Sequence, residues 1–249
     1  MTLDHVLAAR ARKTVYRDGD TAVKVFDAAY SKADILNEAL NLARVEETGL
    51  AVPRVLEVKK IEDRWAIVTS FIEGRTLSEL MKEHPDRKND YLAMLVDVQL
   101  SVHHKVCPML SKLKEKMERK IRAADLNASC RYELLTRLES MPRHNKLCHG
   151  DFHPSNILIT RHGTPYILDW SHATQGNASA DAARSYLLFC LDGDYDAAEI
   201  YLKRFCQKSD TARQYVEQWM PIVAASQSTK GKADERDFLL SWANIADYE

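Results

Sequence analysis

The sequence predicts an α+β chain in two parts: a small antiparallel β-sheet with one helix, then a larger, mainly helical region. Three observations carry this. β-branched runs flank an Asp-Gly turn near the N-terminus. The pattern changes from β-rich to α-rich at Glu73-Gly74. Two short apolar runs, Ile157-Leu158-Ile159 and Pro165-Tyr166-Ile167-Leu168, then interrupt the later helices as a hairpin. The expected division is residues 1–72 and 73–249.

Taken in order, Thr14-Val15-Tyr16 and Thr21 to Phe26 read as strands around Arg17-Asp18-Gly19-Asp20. Lys24 alternates with Val23 and Val25, so it points to the opposite face of its strand. A helix is expected from about Ser31 to Thr48. Ser31-x-x-Asp34 resembles a capping box, and Ile35, Leu36, Ala39, Leu42, Ala43 and Val45 recur at helical spacing. Gly49 stops it and Pro53 prevents its resumption. Val52 to Val58 and Trp65 to Phe71 read as strands. Helices follow over Leu77 to Met81, Asp90 to Val106, Leu110 to Ala124 and Arg131 to Ser140. After the central strands come Ala180 to Cys190, Asp196 to Gln207, Thr211 to Ala225 and Asp234 to Ala246, with Lys230-Gly231-Lys232 punctuating the last two.

Charge is balanced, 35 Lys+Arg against 36 Asp+Glu in 249 residues, which argues against a nucleic-acid binder driven by phosphate neutralisation. The run from Lys112 to Lys120 interleaves acids with its bases and reads as a solvated helix face. Five Cys with no Cys-x-x-Cys pair point to reduced thiols and a cytoplasmic protein. Met1 to His5 lacks a basic segment followed by an apolar one, so no signal peptide is read. No apolar run reaches membrane-spanning length. No oligomeric state is read from the sequence.

The chemistry concentrates in Leu147 to Ile159, where His149, Asp151, His153 and Asn156 stand beside an apolar strand. Ionisable groups beside buried strands mark a site, because a core has no use for them. His149-x-Asp151-x-x-x-x-Asn156 matches the spacing of a kinase catalytic loop, with Asp169-Trp170-Ser171 where a kinase has Asp-Phe-Gly. With His-Gly-Asp in place of His-Arg-Asp and the stretch Phe71 to Leu77, the sequence resembles the aminoglycoside phosphotransferase and choline kinase family. The resemblance runs from about Val15 to the C-terminus. It implies a two-lobed, protein-kinase-like fold and transfer of the ATP γ-phosphate to a hydroxyl of a small molecule, aminoglycoside-like, amino-alcohol or sugar. It further implies Asp151 as catalytic base and Asn156 and Asp169 as Mg²⁺ ligands. Lys24 becomes the phosphate-binding strand lysine, with Glu38 as its helix partner ahead of Glu46 and Glu47. Ser70, Phe71 and Ile72 become the hinge whose backbone meets adenine. Asp181 has two readings, a brace under the catalytic loop or an ordinary N-terminal helix acid.

Two departures stand out. The stretch that should cover the phosphates, Ala8-Ala9-Arg10-Ala11-Arg12-Lys13, has no Gly, so the backbone stays further from phosphate or Arg10, Arg12 or Lys13 supplies charge. The interval from Asp169 to Asp181 leaves no room for an activation segment, which favours a small-molecule acceptor over a protein. Asp192, Asp194, Asp196 and Glu199 could attract a cationic amine, though a solvated loop explains them on composition. Tyr215 and Trp219 read as core. The alternatives are a non-catalytic, kinase-like nucleotide-binding module, supported by the missing glycines, and a metal hydrolase, suggested by Gly150-Asp151-x-His153 but without the Gly-Asn-His that should follow.

Overall fold

The computed structural model describes residues 5–10, 12–229 and 233–243. Met1–Asp4, Ala11, Lys230–Lys232 and the residues after Ala243 lie outside them. With them lie part of the signal-peptide reading, part of the phosphate-covering stretch, the Lys-Gly-Lys punctuation and the end of the last expected helix. The chain forms two compact units, Met1–Leu80 with Pro154–His172, and Met81–His153 with Ala173–Glu249. The central hairpin thus belongs to the first unit.

In the first unit, β1 (His5–Arg10), β2 (Lys13–Asp18), β3 (Thr21–Phe26), β4 (Val55–Ile61) and β5 (Arg64–Ser70) form one antiparallel sheet, in the order β1-β2-β3-β5-β4. The alternation along β3 sorts the core into two faces. Val23 and Val25 pack with Ala66 and Val68 on one face. Phe26 and Ile67 pack on the other with Ile35 and Ala39 of α1 (Lys32–Glu46). Each of these Val, Ile and Phe side chains taken fully from water contributes about 1.5–3 kcal/mol. The helix starts where its cap predicts: Ser31 accepts from the Asp34 N–H at 3.2 Å. β1 is a correction to the sequence reading. It is exposed along its length, so it carries no apolar alternation to announce it. It pairs with β2 down to Arg10 opposite Lys13.

β6 (Arg75–Thr76), β8 (Ile157–Ile159) and β9 (Pro165–Ile167) make a second antiparallel sheet in this unit. Gly74 is needed there: a Cβ would stand 2.4 Å from Leu158 Cδ2 and 2.5 Å from the Ile159 oxygen.

The second unit is helical: α3 (Lys88–His103), α4 (Leu113–Ala123), α5 (Ala128–Ser140), α6 (Ala178–Leu191), α7 (Tyr195–Ser209), α8 (Arg213–Glu217), α9 (Met220–Gln227) and α10 (Ala233–Ala243). α2 (Leu77–Glu83) carries the chain from one unit into the other. α6 packs on α7 and α9, α3 on α7, and α4 on α9. A short ribbon of β7 (Lys146–Cys148) with β10 (Thr174–Gly176) leads into and out of the first-unit segment. The single helix expected over Thr211 to Ala225 is two. Pro221 lies in the first turn of α9, where its missing N–H is harmless. Among the described residues, no helix is long and apolar enough to cross a membrane.

Candidate active site

One face of the large sheet lines a cavity of about 380 Å³ within the first unit, a size suited to a small ligand. Lys24 reaches it because the period of two sends Val23 and Val25 the other way. Lys24 pairs with Glu38 of α1 and, at 3.2 Å, with Asp169 Oδ1. Lys13 Nζ lies 3.0 Å from the other oxygen, Oδ2. Burial opposes the charges of Lys24, Asp169 and Lys13. The Asp169 and Glu38 carboxylates outweigh burial and raise the Lys24 pKa. Against the same penalty, Lys24 and Lys13 hold Asp169 well below the usual carboxylate range. For Lys13, burial and the neighbouring Lys24 prevail over Asp169, and its pKa falls.

Asp169 sits in the left-handed region at φ +58°, uncommon for a residue with a side chain and frequent where a site stores strain. Its surroundings hold it there. Trp170, 1 % exposed, donates its indole N–H to the Ile167 oxygen at 3.1 Å. α1 packs against the turn Trp170–His172. Asn156, 2 % exposed, ends the turn Pro154–Asn156 and lines the same cavity. Its carbonyl accepts from the Leu168 N–H at 2.8 Å, which ties the turn to the strand that delivers Asp169.

One carboxylate and one amide oxygen beside two ammonium groups suit a hard cation that arrives with phosphate and keeps other ligands. They do not form a closed protein cage. Among the described residues, no group of three or more His, Cys, Asp or Glu could hold a metal ion.

Ser70, Phe71 and Ile72 also line the cavity. Two of their backbone donors are engaged: Ser70 N–H donates to the Arg54 oxygen and Phe71 N–H to the Asp20 oxygen, each at 2.9 Å. Glu46, the weaker candidate partner for Lys24, instead accepts from the Val55 N–H at 2.7 Å.

Asp151 belongs to the second unit. Its N–H donates to His149 Nδ1 at 3.2 Å, so the buried imidazole folds the loop. Gly150 takes φ +80°, which glycine accepts without strain. Asp181 is enclosed beneath them. It accepts from the His149 N–H at 3.1 Å, the Gly150 N–H at 2.6 Å and the His103 ring at 3.0 Å. Burial would raise its pKa, but the His103 hydrogen bond leads the groups that bring it below the ordinary value. Of its two sequence readings, the brace is the one realised.

Sequence reasoning missed two residues here. His103 gave no signal, since one His of a His-His pair at a helix end carries no spacing pattern. Arg184 follows Asp181 by a short helical step and places Nη2 3.4 Å from Asp151 Oδ1. Its Nε and Nη1 are buried without a hydrogen-bond partner among the described residues, and burial lowers its pKa against the pull of Asp151.

Two of the four acids weighed for an acceptor, Asp194 and Glu199, are occupied. Asp194 caps α7 through the Ala197 N–H and pairs with Lys88 at 2.7 Å. Glu199 pairs with Arg213 at 2.7 Å and accepts from the Tyr186 hydroxyl. Trp219 is fully buried, and Tyr215 accepts from Asn177 Nδ2 at 2.6 Å.

A family model described as the phosphotransferase enzyme family (APH) matches residues 6–217. No curated protein matches the chain. Solved structures match it throughout. A type VIII aminoglycoside-3'-phosphotransferase has a TM-score of 0.63 and 21 % identity, over 91 % of this chain and 92 % of that one. A thermostable mutant of aminoglycoside phosphotransferase APH(4)-Ia, in ternary complex with AMP-PNP and hygromycin B, has a TM-score of 0.69 and 14 % identity, over 96 % and 90 %. The choline kinase LicA from Streptococcus pneumoniae has a TM-score of 0.66 and 14 % identity, over 100 % and 94 %. The fold is that of these kinases.

Proposed function

Since the chain belongs to the phosphotransferase enzyme family, we propose that it transfers the γ-phosphate of ATP to a hydroxyl of a small molecule: an aminoglycoside-like compound, an amino-alcohol or a sugar. The observation that carries the reading is Lys24, held between Glu38 and Asp169 in a cavity that Asn156 also lines. Nucleotide as donor is supported by neighbours solved with AMP-PNP or ADP. A small hydroxyl acceptor is supported by neighbours named for choline or solved with hygromycin B or streptomycin.

In this reading residues 1–72 serve the nucleotide, and residues 73–249 serve catalysis and the acceptor. Lys24 neutralises phosphate charge, and Glu38 keeps its ammonium aimed. Asn156 and Asp169 would hold Mg²⁺, which supplies further neutralisation of the phosphates when bound. The adenine edge meets the 70–72 segment through groups other than the engaged Ser70 and Phe71 N–H. Asp151 takes the proton of the attacking hydroxyl as its oxygen bonds to phosphorus and the bond to the ADP oxygen breaks. His149 and Asp181 fix the loop that carries it. Catalysis is then mostly positioning and charge compensation. The protein works in the cytosol, in keeping with its five free thiols.

The test is ATP consumption over a panel of aminoglycosides, macrolides, choline, ethanolamine and sugars, with and without Mg²⁺. One acceptor class should raise turnover well above the hydrolysis background, and Asp151→Ala should abolish that gain. An Asp151→Ala protein with full turnover would refute the assignment. Metal-dependent ATP binding with no transfer to any acceptor would favour a non-catalytic nucleotide-binding module.

A further inference from the structure

In protein kinases a glycine-rich loop between the first two strands covers the phosphates with backbone N–H groups. The corresponding stretch here, Ala8 to Lys13, has no Gly. β1 and β2 stay paired until Arg10 faces Lys13. What the hairpin presents toward the cavity is side chains. Cross-strand partners share a face, so the pairs Arg10–Lys13 and Val15–Lys24 bring both lysines to the same side of the sheet. Lys13 stands opposite Phe26, two residues from Lys24 along β3, which makes the two lysines diagonal neighbours. Each takes one oxygen of Asp169, Lys13 at 3.0 Å and Lys24 at 3.2 Å, and their side chains are equally enclosed, 15 % exposed. Arg12 lies in the turn, exposed and outside the cavity lining, and Arg10 lines the cavity but is exposed.

We propose that Lys13 is a second phosphate-binding cation, a side chain that takes over the charge compensation of the absent glycine-rich loop. The proposal rests on the nucleotide-transfer reading and deepens it. Its argument is charge balance. Before any metal binds, Lys24, Glu38 and Asp169 together carry one formal net negative charge, which would repel a polyphosphate. Lys13 brings that group to neutrality. An ammonium on a flexible stem offers three donors and turns easily between oxygen partners. The Asp169 pair therefore keeps Lys13 placed, and phosphate oxygens replace that partner when nucleotide is bound. The polyphosphate should feel Lys13 strongly and the nucleoside hardly at all.

The experiment is calorimetric titration of the full chain with adenosine, ADP and ATP, in Mg²⁺ and without it. Wild type is compared with Lys13→Gln, Lys13→Arg and Arg12→Gln, and ligand-free thermal melts check folding. Lys13→Gln should weaken ATP roughly 10- to 100-fold, as loss of a hydrogen bond to a charged group does. Adenosine affinity should stay put. Lys13→Arg should restore most of the loss, and Arg12→Gln should change none of the three affinities. An unchanged ratio of ATP to adenosine affinity in Lys13→Gln overturns the proposal while leaving the kinase reading intact. If Lys13→Gln melts early, Lys13→Arg decides: an arginine variant that folds and has lost ATP affinity as fully as adenosine affinity also overturns it. Wild type that binds neither ADP nor ATP removes the nucleotide reading itself, and this proposal with it.

Discussion

Asp169 in the first unit and Asp181 in the second are both enclosed carboxylates, yet their partners differ in kind. Asp169 faces a cavity, and its two oxygens are held by lysine side chains that can turn elsewhere. Asp181 is 3 % exposed and is held by two backbone N–H groups and a buried imidazole that cannot. The first is an exchangeable charge beside open space, suited to a ligand. The second is a fixed charge that shapes a loop. A carboxylate's use is therefore read from what its partners are free to do, not from how deeply it is buried.

The sharpest break would come at the loop Asp181 supports. Asp151→Asn should lower turnover by about 10²–10⁴, the usual worth of a general base, with ATP affinity by calorimetry unchanged. Next come the two aspartates themselves. Asp169→Asn should lose the Mg²⁺-dependent part of ATP binding and cost less stability than Asp181→Asn, because its lysine partners can turn toward solvent. Asp181→Asn turns an amide N–H toward backbone donors and should destabilise by about 3–5 kcal/mol, read in denaturant midpoints. If the two variants lose stability equally, the contrast between exchangeable and fixed charge is wrong.

A pH series sharpens the same contrast. The Asp181 pKa is held below its ordinary 3.8. Its stabilisation is thus fully present above that value and is lost as pH falls through the lower folded-state value. The stability gap between wild type and Asp181→Asn should be constant from about pH 7 to about pH 5 and shrink by about pH 3; a gap that widens on acidification would contradict it. The smallest effect is expected at His103→Gln. Losing one buried hydrogen bond should destabilise by about 1–3 kcal/mol and lower turnover only through the loop, so kcat should fall with KM for ATP unchanged.

Much of the fold was legible because local rules agreed with one another. The Asp-Gly turn, the Ser31 cap, Gly49 and the alternation around Lys24 each act within a few residues, and the structure keeps all of them. Where a segment carries no apolar pattern the reading failed. β1 is exposed along its length, and β7 and β10 are three-residue strands defined by each other. Thr211 to Ala225 ran on as one helix because its apolar spacing continues through Pro221, whose backbone the periodicity ignores.

The sequence by itself determined most of the elements and the motif residues Lys24, Asp151, Asn156 and Asp169, whose order and spacing resemble those of a phosphotransferase. Tertiary structure decided which groups meet. Glu38 rather than Glu46 pairs with Lys24, because helix phase against a sheet is fixed by packing. Lys13 joins Asp169 because hairpin register sets which side chains share a face. His103 and Arg184 take their places because helices distant in sequence close around one loop. Covalent neighbours set a residue's conformation, but only packing sets its partners, and it is the partners that separate Asp169 from Asp181.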